Sequence, residues 1–142
     1  GWAKGGISQA GTYSANGVAV AAAGATIAKL STGEPFTQIE KIGSSLMEGL
    51  AGICAEQGVS AHLVGVPSMF GLVFSEEAPG DFRDAADHDE ELYSDVVMRM
   101  IGKGVFPVDD ALEPWFICAA HTEEDVAKTL QVFEESLREA RA

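Results

Sequence analysis

Basic residues are scarce in this chain. Nine Lys and Arg stand against 22 Asp and Glu, a formal net charge of −13 at pH 7 over 142 residues. Nucleic-acid binding draws its affinity from cations on phosphates, and anionic membrane surfaces are held the same way. The few basic residues are scattered, so neither nucleic acid nor a membrane is an expected partner. Long apolar runs are missing as well. None approaches the ~20 residues of a membrane span. The Ala-rich stretch 18–28 is broken by Gly24 and Thr26 and follows no basic segment, so it does not read as a secretory signal. A cytoplasmic location is the expectation. Cys54 and Cys118 are the only cysteines. They are far apart, one in a helical pattern and one in an expected buried strand, and read as free buried thiols. No two histidines have metal-ligand spacing, so no metal site is expected. Phosphate-loop, dinucleotide-binding and serine-hydrolase motifs are also absent.

What is present is a 46% hydrophobic chain of single-domain length, enough to bury a real core. Residues Asn16–Leu30 read as a small-residue helix with Ser14 or Asn16 as N-cap. Its small side chains let another backbone approach, so it is expected to be packed. Ser31–Phe36 reads as a turn, on Gly33 and Pro35. A helix over Gln38–Gln57 follows, with Ile39, Ile42, Leu46, Leu50 and Ile53 on one face. Gly43, Gly49 and Gly52 weaken it, and Gly58 suits its C-terminal stop. Strands are expected at Ala61–Val66 and Phe70–Phe74 about a Pro67-Ser68 turn, then a polar loop at Glu76–Asp81.

Asp87–Ile101 reads as a helix with Leu92, Val96, Val97, Met100 and Ile101 inward. Val105–Val108 and Trp115–Ala119 are further strand candidates. A final helix starts at Thr122, where Thr122-Glu-Glu-Asp125 approximates a capping box, and Val126, Leu130, Phe133 and Leu137 form its stripe. The acids at 81–91 read as a solvated face, and Trp2, Phe36, Phe70 and Phe74 as core or covered interface. The pattern predicts an α+β fold, helices covering a small, mainly antiparallel sheet.

Three stretches carry the chemistry. Gly11-Thr12-Tyr13-Ser14-Ala15-Asn16 runs into the Ala-rich helix, and a small-residue junction of this kind offers N–H groups and a hydroxyl to an anion. Gly104-Val105-Phe106-Pro107 is followed by Leu112-Glu113-Pro114-Trp115-Phe116. The third is Ala120-His121-Thr122-Glu123-Glu124-Asp125, with Thr129-Leu130 a turn later. In order and spacing they resemble the class III pyridoxal-phosphate aminotransferases, and their aminomutase branch in particular. The resemblance spans nearly the whole chain.

The resemblance implies a C-terminal portion of a larger fold-type I enzyme. Residues 1–30 would be a loop and connecting helix from its large domain, and residues 31–142 its C-terminal small domain. It implies pyridoxal 5′-phosphate as cofactor, a homodimer formed through the large domain, and a small amino-acid or amino-aldehyde substrate. Gly11 and Thr12 would bind the cofactor phosphate, in the partner's active site. Glu113 would lie at the substrate end. From the residues alone, Thr12 reads as a plain helix cap, and Glu113 as either a substrate contact or a solvated loop acid. His121, just before the Thr122 cap, suits local packing. The family's Gly-Asn-Pro is Ala15-Asn16-Gly17 here, and Tyr13 replaces a more usual Phe or Leu.

These enzymes carry the cofactor on a lysine upstream of that Thr. Lys4 is the only lysine before Thr12, and its setting does not match. Lys29, Lys41, Lys103 and Lys128 fall at expected surface or helix-end positions. The chain alone is therefore not expected to catalyse transamination, and no catalytic residue is assigned to it. The alternative is a non-enzymatic α+β interaction or small-ligand module that kept this fold without the lysine domain. If the chain is an isolated piece, stretch 18–28 should expose apolar surface or dimerise to cover it.

Overall fold

The computed structural model describes residues 11–142. The expectations for residues 1–10, Trp2 and Lys4 included, lie outside the described residues. The elements are α1 (Gly17–Leu30), α2 (Glu34–Glu56), β1 (His62–Val66), β2 (Met69–Val73), α3 (Phe82–Ala86), α4 (Glu90–Gly102), β3 (Trp115–Phe116) and α5 (Glu123–Ala140). They divide into two compact units between Glu34 and Pro35.

In the first unit, Asn16 and not Ser14 caps α1. Its Oδ1 accepts from the N–H groups of Val18 and Ala19, each at 3.1 Å. Two of the free N–H groups expected at this junction are therefore already bonded. No residue of α1 is buried, and Val18, Val20 and Ile27 are well exposed. Exposed apolar surface, not a packed face, is thus what the helix presents.

The second unit holds the core. β1, β2 and β3 form a three-stranded antiparallel sheet in that order. Val66 pairs with Met69 across the two-residue Pro67-Ser68 link, as the sequence suggested. Phe70 and Leu72 on β2 are fully buried against Ile42, Leu46 and Leu50 of α2, Val96, Val97 and Met100 of α4, and Phe133 and Leu137 of α5. Alternate positions of the sheet, Val64, Val66, Met69 and Phe116, remain exposed. The helices therefore cover one face, the α+β arrangement.

Helices α2 and α5 run in the same direction. Gln38 Nε2 donates to the His121 carbonyl and Lys41 pairs with Glu123 at one end. Gln57 Nε2 donates to the Glu134 carbonyl and Arg141 to the Gln57 carbonyl at the other.

Several expectations are corrected. Helix α2 starts at Glu34, so Pro35 sits in its first turn, where its missing N–H costs nothing. Phe36 is exposed, not core. A short helix, α3, occupies part of the acidic stretch, and the acids have specific work. Asp81 caps α3 through Arg83 and Asp84 N–H, and Asp89 caps α4 through Leu92 N–H at 2.9 Å. Val105–Val108 is not a strand, and the expected strand at Trp115–Ala119 shrinks to Trp115–Phe116, leaving Cys118 exposed in a loop.

Gly43 and Gly49 are contact points. A Cβ on Gly43 would overlap the Pro67 carbonyl, and one on Gly49 would overlap the Leu130 side chain. They let the hairpin turn and α5 approach α2, at the expense of helix propensity.

Candidate functional site

A cavity of about 500 Å³ opens in the second unit. Its floor is Ile42 and Leu46 of α2 with Val126 of α5. One wall is the irregular run Gly104–Val108, and another is Pro114–Ile117. His121, Asp125, Lys128 and Thr129 supply its polar groups. Two of the three stretches singled out in the sequence thus converge on one hollow.

Local chemistry shapes that hollow. At α5, Thr122 and Asp125 form the expected capping box. The Thr122 N–H donates to Asp125 Oδ2 at 2.8 Å and Asp125 N–H donates to Thr122 Oγ1 at 3.3 Å. The Thr122 backbone and side-chain hydrogen bonds hold the Asp125 carboxyl below its usual range. His121 packs locally: its Nδ1 accepts from the Cys118 N–H at 3.0 Å. That bond leaves Nε2 as the protonated nitrogen of the neutral ring. Lys128 is the one cationic side chain among the described lining residues, a place its sequence position did not suggest.

A buried pair ties the two walls together. Tyr93 on α4 donates its hydroxyl to the Val108 carbonyl at 2.9 Å and accepts from Trp115 Nε1 at 3.0 Å. Tyr93 is 2% exposed and Trp115 7%, so both polar atoms need these partners. Burial pushes the Tyr93 hydroxyl pKa up, with Asp109 and Asp110 adding to it. The sequence reading missed Tyr93. Its signal was a tyrosine flanked by Leu92 and Val96 on an inward stripe, where a hydroxyl must find an acceptor.

Glu113 does not line the cavity, although its neighbour Pro114 does. It is exposed, and its N–H donates to the Asp110 carbonyl at 3.1 Å. Gly11 and Thr12 belong to the first unit. They are exposed in a turn that the Ser14 N–H closes on the Gly11 carbonyl at 3.0 Å. Among the described residues no group of three or more His, Cys, Asp or Glu is placed to hold a metal ion. No described helix is long and apolar enough to cross a membrane.

No family model matches the chain. Pairwise likeness is strong, however. A glutamate-1-semialdehyde 2,1-aminomutase of Desulfatibacillum aliphaticivorans is 37% identical over 136 residues, 96% of this chain and 32% of that protein. This chain is homologous to the class III aminotransferases. It spans about a third of the length of the curated aminomutases it matches.

Solved transaminase structures share this chain's fold. An ω-transaminase from Sphaerobacter thermophilus superposes with a TM-score of 0.84 at 23% identity, over 96% of this chain and 31% of that one. A transaminase with PLP bound gives 0.76 at 21% identity, over 96% and 31%. The class III resemblance read from the three stretches therefore stands.

Thr12 and Gly11 are the described residues that the resemblance assigns to such a cofactor. Thr12 offers an exposed hydroxyl beside a glycine, suited to a phosphate. The described lysines, Lys29, Lys41, Lys103 and Lys128, all follow Thr12 in the sequence.

Proposed function

We propose that this chain is the C-terminal portion of a pyridoxal-phosphate-dependent aminomutase or aminotransferase, of the glutamate-1-semialdehyde 2,1-aminomutase kind. The observation that carries this is the convergence of Gly104–Pro107, Pro114–Phe116, His121 and Asp125 on one cavity, in a chain whose relatives bear that name. Residues 1–30 are then a loop and connecting helix of the large domain, and residues 31–142 the small domain that covers the substrate.

When bound, the cofactor supplies the electron sink that lets an amino group change position. The chain's own residues bind and orient. The Thr12 hydroxyl takes a phosphate oxygen in the neighbouring subunit of a homodimer, with Gly11 letting the backbone come close. Glu113 faces a small amino-acid or amino-aldehyde substrate. The apolar floor of Ile42, Leu46 and Val126 excludes water from that side.

The test is protein expressed from the full gene. It should retain pyridoxal phosphate through dialysis and convert glutamate-1-semialdehyde to 5-aminolevulinate, and Thr12→Val should weaken cofactor retention about tenfold. A full-length protein that neither keeps the cofactor nor moves an amino group overturns the reading and leaves a binding module.

A further inference from the structure

The geometry points to Tyr93 as the positioning residue for Glu113, an inference that rests on the substrate role given to Glu113 above. Val108 and Trp115 bound a six-residue loop, 109–114, that contains Glu113. One oxygen, the Tyr93 hydroxyl, bonds to both ends of it: to the Val108 carbonyl at 2.9 Å and to Trp115 Nε1 at 3.0 Å. That hydroxyl sits on α4, whose Val96, Val97 and Met100 are 1% exposed or less. The loop's ends are thereby tied to a helix packed deep in the core.

Inside the loop two further bonds fix its course. The Leu112 N–H donates to Asp110 Oδ1 at 2.9 Å, and the Glu113 N–H donates to the Asp110 carbonyl at 3.1 Å. Ala111 is 6% exposed and anchors the tip on the core. Beyond these, the loop carries no regular secondary structure. A carboxylate on such a loop is placed only as well as the loop's ends are held, and a small displacement of a substrate-orienting group has a large effect. Tyr93 touches no reacting atom; it acts through the position of Glu113.

Tyr93→Phe removes the oxygen and keeps the ring that packs on Phe74. Two measurements test the assignment. In the 142-residue chain, amides of 109–114 should exchange about tenfold faster in Tyr93→Phe, with those of α5 unchanged. In the full-length enzyme, Tyr93→Phe should raise KM for the amino substrate about tenfold and leave kcat within twofold.

The decisive comparison is the double variant. In a Glu113→Gln background, Tyr93→Phe should add nothing further to KM, because the group it positions is gone. Additive effects, or unchanged exchange in loop 109–114, overturn the positioning role. If Glu113→Gln alone leaves KM unaltered while the loop amides still loosen, the substrate role of Glu113 falls, and with it the claim that Tyr93 serves it. The two failures are thus told apart.

Discussion

Cys54 and Cys118 have the same side chain and opposite chemistry. Cys54 is 2% exposed, and burial pushes its thiol up to about 11, which suppresses the thiolate that reacts. Cys118 is exposed beside the His121 turn. A thiol reagent at pH 8 should therefore modify one cysteine rapidly in the folded chain, and peptide mapping should find it at Cys118. Modification of both at equal rates would contradict the buried place of Cys54.

The Thr122–Asp125 pair gives a second residue-scale prediction. Asp125 is held below its usual range chiefly by its bonds from Thr122. A depressed carboxylate stabilises the fold above its unfolded pKa, and that contribution fades as pH falls through the folded value. Asp125→Asn should thus narrow the stability gap to wild type as urea titrations move from pH 7 into the acid range. Thr122→Ala should cost about 1 kcal/mol at neutral pH.

At the scale of the element, α2 shows how far a helix can be read before its neighbours are known. Its apolar stripe at Ile42, Leu46 and Leu50 was plain, since three- and four-residue spacing can only place those side chains together. Its three glycines looked alike in the sequence and are not. Gly52 meets nothing within 4 Å, whereas a Cβ at Gly43 would strike the Pro67 carbonyl. Gly52→Ala should accordingly stabilise the chain by up to about 1 kcal/mol. Gly43→Ala should destabilise it by roughly 1–3 kcal/mol, because a backbone carbonyl cannot move aside as a side chain can. Thermal melts of the two variants should shift in opposite directions.

The capped helices show the same limit. The capping box of α5 was legible because Thr and Asp three positions apart at a helix start can each reach the other's N–H group. Asp81 and Asp89, in a run of acids, gave no sign of which acid caps and which is merely solvated.

For the molecule as a whole, the two units should differ in stability. A 14-residue helix with no buried residue has little but its own hydrogen bonds to hold it, and isolated helices shorter than about 12–15 residues are marginal in water. Amides of α1 should exchange far faster than those of α4 and α5 in the 142-residue chain. In full-length protein, where the proposed large domain is present, α1 should gain protection. Unchanged exchange there would argue that α1 has no partner in the longer chain.

The sequence by itself determined the elements with strong periodicity or caps, namely α1, α2, α4, α5 and the hairpin, and with them the α+β class. Local rules suffice for these, since spacing and capping act within a few residues. It also determined the family, through three stretches whose order is independent of any geometry. Tertiary structure alone decided the rest. The Val105–Val108 run has the apolar residues of a strand, yet it stays irregular, and its final carbonyl bonds to Tyr93. That bond joins positions fifteen apart, and no local pattern encodes it. The cavity has the same origin. Its walls come from α2, the irregular run Gly104–Val108, β3 with its flanking residues, and α5, and only the packing of these elements on one core brings them face to face.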